Sequence, residues 1–150
     1  MISSAAIANA CDILLVDDEP VIRNVLALAL QREGYSVRSA TDGRQALAVL
    51  AWQTVRLIVT DIFMPGTDGF EFLTQLRGHS LPIIAVSGGF AVDADLYPRV
   101  ARHLGATHLL AKPFGLQEFL ALVRATIGAP AAAPGSAASL PPPTNPSTST

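Results

Sequence analysis

Only one cysteine, Cys11, occurs in the 150 residues, so no intramolecular disulfide can form and nothing demands an oxidising compartment. A lone cysteine in an apolar stretch reads as a core residue rather than a nucleophile. Charge is scarce as well: Asp, Glu, Lys and Arg make up 15% of the chain and the net charge is −2. The arginines are scattered with no basic run, so neither nucleic acid nor an acidic membrane surface is expected as a partner. No apolar run approaches the roughly 20 residues of a membrane-spanning helix. The stretch 1–10 is small and apolar but lacks the basic segment of a secretory signal. It reads as a flexible arm of a soluble, cytoplasmic protein. Lysine is the scarcest charged type, because Lys112 is the only one among ten basic residues. A surface cation could as well have been arginine, so a slender point-charge amine is expected to be needed at that position.

Half of the residues are hydrophobic, enough for one globular domain with a proper core. They fall into short runs that alternate with helical stripes. Ile13 to Val16, Val55 to Thr60, Pro82 to Val86 and Thr107 to Ala111 are Val/Ile/Leu-rich runs suited to buried parallel strands. Tyr35 to Ser39 is a shorter, more polar strand candidate. Between them lies a stripe of Val21, Ile22, Val25, Leu26, Ala29 and Leu30 after Pro20, stopped by Gly34. Further helices are expected from Asp42 to Trp52, from Phe70 to Arg77 with Phe70, Leu73 and Leu76 inward, and before Gly105 with Pro98 either near its first turn or kinking it. A last helix carries Leu116, Phe119, Leu120, Val123 and Ile127. The segment 63–69 is a loop by its Pro and Gly content. Five strands alternating with five helices imply a three-layer, doubly wound α/β domain over residues 11–128. From 129 to 150 the chain has no charge and is mainly Ala, Pro, Ser and Thr, the composition of a disordered tail.

Four strands run directly into chemically useful residues: the first into Asp17-Asp18, the third into Asp61, the fourth into Ser87-Gly88-Gly89 and the fifth into Lys112-Pro113. In an open α/β sheet the carboxyl ends of the strands form the ligand crevice, so these groups should converge on one rim. Asp18 alone could cap the helix that follows. Three carboxylates in one crevice, however, would repel one another and be pushed toward protonation. A divalent cation removes that conflict, and Mg²⁺ (or Mn²⁺) fits because it takes hard oxygen ligands while keeping several waters. Lys112 can bury its stem and bring an ammonium to the same rim. The Lys112-Pro113 bond is of the kind that can be cis. Ser87 and Gly88 add a hydroxyl and a backbone N–H suited to phosphoryl oxygens, although alone they would mark only a turn.

The set Asp17-Asp18, Asp61 with Met64-Pro65 and Asp68-Gly69, Ser87-Gly88 and Lys112-Pro113-Phe114 resembles the receiver domain of two-component response regulators, the CheY-like family, across residues 11–128. The resemblance implies a flavodoxin-like fold with strand order 2-1-3-4-5. It implies that Asp61 is the phosphoacceptor, taking a phosphoryl group from phosphohistidine on a sensor histidine kinase or a histidine phosphotransfer protein. It further implies that Asp18 binds Mg²⁺ directly, Asp17 mostly through water, and the Phe63 carbonyl and Asp61 complete the metal set. Ser87, Gly88 and Lys112 would receive the phosphoryl group, with Pro113 and Leu109 at positions of conformational importance. The chain would then be a stand-alone signalling protein rather than an enzyme. Its output would be a changed interaction face near the fourth and fifth helices, acting on an unidentified protein target, or onward relay.

The chain departs from the family's usual pattern in three places. Leu109 stands where a rotating aromatic is usual, and the nearby His108 reads as a solvent-facing edge-strand histidine. Phe63 and Gly89 flank the path of an attacking water without an acid or amide to orient it, so slow to moderate self-dephosphorylation is expected. Two other readings are weaker. A serine hydrolase built on Ser87 with Asp93, Asp95, His103 and His108 leaves Asp17, Asp18, Asp61 and Lys112 unexplained. A degenerate receiver serving only as an interaction module leaves the complete site without a purpose.

Overall fold

The computed structural model describes residues 10–64, 67–88 and 96–131. Five strands form one parallel sheet: β1 (Ala10–Val16), β2 (Val37–Ala40), β3 (Thr54–Asp61), β4 (Ile83–Gly88) and β5 (His108–Lys112), in the order β2-β1-β3-β4-β5. The helices between them are α1 (Pro20–Arg32), α2 (Gly43–Leu50), α3 (Gly69–Gln75), α4 (Leu96–His103) and α5 (Leu116–Ile127). This is the expected strand order and the flavodoxin-like arrangement. Phe63–Met64 and Thr67–Asp68 form a small antiparallel ladder inside the segment expected to be a loop.

The central strands are apolar throughout because both of their faces are covered. Leu14, Val16, Ile58, Ile83 and Ala85 point to one side, against Ala46 of α2, Phe72 and Leu73 of α3, and Ala101 of α4. Ile13, Leu15, Leu57, Val59, Ile84, Val86 and Leu110 point to the other, against Leu26 and Leu30 of α1 and Phe119 and Val123 of α5. Fully burying a residue of this size stabilises by about 1.5–3 kcal/mol, so the two layers carry most of the folding free energy.

Local signals start and stop the elements. Pro20 opens α1, where its missing N–H costs nothing. Asp42 caps α2 by accepting the Gln45 N–H at 2.8 Å, and the Gln45 side chain accepts the Thr41 N–H at 2.9 Å. Gly34 follows α1 with φ 102°, a conformation open mainly to glycine. The stripe on α1 is wider than the sheet can cover. Leu26, Ala29 and Leu30 are buried, whereas Val21 and Val25 stay 73% and 50% exposed. Among the described side chains of α3, Phe72 and Leu73 are buried, as is Leu76 just past its end. The expected inward contact of Phe70 falls on a side chain outside the described residues. Gly43 lies against Phe72 so closely that an added Cβ would stand 3.1 Å from the ring. The expected arm, 1–10, and tail, 129–150, lie outside the described residues except at 10 and 129–131. Among the described residues no helix is long and apolar enough to cross a membrane.

Candidate functional site

Strand register assembles the site. Val16 pairs with Thr60, so Asp17 and Asp61, each the next residue, emerge side by side from β1 and β3. Asp61 itself pairs with Val86, which brings Ser87 to the same rim, and Ser87 and Gly88 pair with Ala111 and Lys112 on β5. Ser87 and Gly88 thus lie within β4 rather than beyond it, because β5 extends far enough to keep the ladder going. The Lys112–Pro113 peptide is cis.

Lys112 Nζ donates to Asp61 Oδ2 at 3.0 Å and lies 3.6 Å from Asp17 Oδ2 and 3.5 Å from Glu19 Oε1. The Asp17 and Asp61 side chains are 5% exposed and that of Lys112 is 18% exposed. Asp17 Oδ1 accepts the Glu19 N–H at 2.9 Å, and its backbone carbonyl accepts from the Arg23 guanidinium at 2.7 Å. Burial pushes the Asp17 carboxyl above its ordinary range, with the charges of Asp61 and Asp18 adding to the rise; the Glu19 N–H and Lys112 oppose it. Burial pulls the Lys112 ammonium down, but its hydrogen bond to Asp61 and the charges of Asp61, Asp17 and Glu19 outweigh that and raise it.

One carboxylate oxygen each from Asp17, Glu19 and Asp61 lie within 4.8 Å of one another. Such a set of hard oxygen donors on a rigid rim fits a small divalent cation that keeps some of its waters. Beside it runs an apolar groove of about 620 Å³ between α1 and the start of α5, lined by Val21, Ile22, Val25, Lys112, Phe114 and Leu116 among others.

Comparison with known proteins identifies the assembly. Residues 13–124 match the response regulator receiver domain. The chain belongs to that family. The receiver is 42% identical over 118 residues to the response regulator MprA of Mycolicibacterium vanbaalenii, a match covering 77% of this chain and 49% of that protein. It is 38% identical over 133 residues to the alkaline phosphatase synthesis transcriptional regulatory protein SphR of Synechococcus elongatus, covering 81% of this chain and 51% of that protein. The chain therefore spans about half the length of the curated relatives it matches. Among solved structures, the receiver domain of NtrX from Brucella abortus superposes with a TM-score of 0.69 at 31% identity, covering 77% of this chain and 98% of that one. The chemotaxis protein CheY4 of Vibrio cholerae gives 0.70 at 31% identity, covering 78% and 98%.

The structure brings Asp17, Asp61 and Lys112 into direct contact range and sets Ser87 and Gly88 beside them by register. Asp18 is half-exposed and stands outside the three-carboxylate group. Phe63 enters the receiver's small ladder opposite Asp68, and only its backbone is described. Leu109 is half-buried and packs against the core on the α2–α3–α4 side, while His108 is half-buried on the edge strand β5. Of the hydrolase alternative, Asp93 and Asp95 lie outside the described residues, and His103 is exposed on α4. Sequence reading gave Glu19, directly ahead of Pro20 at the start of α1, no part in the site. The available signal was an acid directly after the Asp17-Asp18 pair and ahead of Pro20.

Proposed function

We propose that the receiver accepts a phosphoryl group on Asp61, with a divalent cation, from phosphohistidine on a sensor histidine kinase or a histidine phosphotransfer protein. The observation that carries this is the Asp61–Lys112 contact at 3.0 Å on a rim that also holds Asp17. In-line phosphoryl transfer asks the protein mainly for positioning and neutralisation of charge. Asp61 is held at the end of β3 with its side chain 5% exposed. Attack by Asp61 Oδ on phosphorus forms the acyl phosphate as the bond to the donor nitrogen breaks, and the donor imidazole keeps that electron pair. In this reading Lys112 pairs with the phosphoryl oxygens, and Ser87 and the Gly88 N–H, on the adjoining strand end, donate to them. A cation held by Asp17, Asp18, Asp61 and the Phe63 carbonyl would supply the remaining positive charge. The acyl phosphate adds negative charge and acceptor oxygens, which favour movement of Ser87 and its loop toward Asp61.

The groove beside Lys112 supports a place for the donor protein. Val21, Val25 and Leu28 are all at least half exposed on α1, spaced to receive an apolar helix. Val25→Asp should slow transfer from a protein donor and leave labelling by acetyl phosphate unchanged.

The test of the reading is intact mass after incubation with Mg²⁺ and acetyl phosphate, wild type beside Asp61→Asn. A single phosphoryl adduct that needs Mg²⁺ and disappears in the variant supports it. A folded wild type that takes no adduct from acetyl phosphate or from a cognate kinase would point to an interaction module instead.

A further inference from the structure

The three acids around Lys112 differ in kind. Asp17 and Asp61 have buried side chains, 5% exposed, whereas that of Glu19 is 57% exposed. Glu19 is the N-cap residue of α1, yet its carboxylate makes no capping bond. A shorter acid there would cap the first turn, whereas the longer Glu19 side chain can reach away from it. It lies instead across the crevice, 3.5 Å from the ammonium on the far strand β5. A cation held by the set proposed above, Asp17, Asp18, Asp61 and the Phe63 carbonyl, rather than by the Glu19 oxygen that also lies within 4.8 Å, would neutralise two of the three acids facing Lys112. The charge of Glu19, on the solvent side of the crevice, remains.

We propose that Glu19 is a positioning residue that acts through Lys112. It holds the ammonium at the outer rim once the two aspartates share a cation, and the incoming phosphoryl group must displace it. This rests on the phosphoacceptor reading of Asp61. The exchange is one of ion pairs only: Lys112 leaves a carboxylate for a phosphoryl oxygen, and no covalent bond or proton is involved. The consequence is a brake on charging. Without Glu19, the outermost of the carboxylates holding Lys112 is gone, and limiting donor should label Asp61 faster. An exposed pair of this kind is worth about 0.2–1 kcal/mol, which corresponds to about a one-and-a-half- to fivefold effect.

The experiment uses the chain's only lysine. Lysine isotopically labelled at Cε and Nζ gives a single side-chain ammonium signal, free of overlap. In the presence of Mg²⁺, wild type, Glu19→Gln and Glu19→Asp are compared by this signal and by the initial rate of labelling with limiting acetyl phosphate. The aspartate variant keeps the charge but is one methylene too short to span the crevice. Both variants are expected to shift and sharpen the lysine signal and to label faster by the factor above. Three results would overturn the proposal: an unchanged lysine signal in both variants, no acceleration in either, or acceleration by glutamine alone. The last would assign the effect to bulk charge on the anionic donor rather than to Lys112. Should wild type take no phosphoryl group at all, the phosphoacceptor reading fails. The lysine signal then decides the Glu19–Lys112 pairing by itself.

Discussion

Asp12, near the start of β1, and Asp17, just past its end, are equally buried, each 3% exposed, and their surroundings are opposite. Asp12 is satisfied on every side. It pairs with Arg56 at 2.8 Å, accepts the Ser36 N–H at 3.0 Å, and its own N–H donates to the Ser36 hydroxyl at 2.8 Å. Arg56 in turn donates to the carbonyls of Ile127 and Ala129, and the Tyr35 hydroxyl donates to that of Gly128. The lower end of the sheet therefore grips the end of α5. Asp17 has one backbone N–H, a 3.6 Å approach to Lys112 and two more acids close by. A buried carboxylate can close a structure or hold an unmet charge ready for a ligand, and the neighbours decide which. Stability is concentrated at the lower end of β1, and the unmet charge at the upper end.

Substitutions at the two ends should therefore differ: breaking the lower pair costs stability, whereas removing the Asp17 charge at the upper end adds it. The largest effect is expected from Arg56→Met, which strands the Asp12 carboxylate and releases the α5 terminus. A loss of about 2–3 kcal/mol is expected, below the range for fully buried pairs because Arg56 is partly exposed, and urea midpoints would measure it. A loss under half a kcal/mol would break the contrast. Next comes Lys112→Met, which leaves the upper acids uncompensated. It should lower stability by about 1–2 kcal/mol without divalent cation, and added Mg²⁺ should raise its Tm more than it raises that of wild type. Asp17→Asn should do the reverse of the Arg56 substitution, gaining up to about 1 kcal/mol at neutral pH without cation and losing most of the Mg²⁺-induced rise in Tm. A destabilised Asp17→Asn would place both ends in one class.

The smallest effect is in pH dependence. Between the ordinary carboxylate range and the raised Asp17 value, the folded state binds more protons than the unfolded one, so Asp17 makes stability fall as pH rises through that window. Asp17→Asn should remove that portion of the slope. Lys112 acts in the same sense but at alkaline pH: its raised value contributes stability that is full below its unfolded pKa of about 10.4 and is lost as pH climbs through the folded value.

The upper end was far more legible in the sequence than the lower. Each central strand is buried on both faces and so reads as an unbroken apolar run, and the first polar residue after it marks the rim. That locates Asp17, Asp61, Ser87 and Lys112 without any tertiary knowledge. Asp12 and Arg56 carry no such mark. They meet because Cys11 pairs with Val55 and Ile13 with Leu57, a register that no local pattern encodes. Glu19 was hidden for a related reason. Its position suits a helix start, and only the cis-linked end of β5 arriving opposite gives it a second role. In α3, Phe72 supplies a core contact that the expected stripe of Phe70, Leu73 and Leu76 did not include.

The central claim is that Asp61 carries the phosphoryl group. Its most direct test is to load wild type with acetyl phosphate and Mg²⁺, reduce the acyl phosphate with borohydride, and map the product by peptide mass spectrometry. The account predicts homoserine at position 61 and nowhere else, formed only when Mg²⁺ was present. Reduction at Asp17, Asp18 or another acid, or an adduct that forms equally well without Mg²⁺, would contradict it.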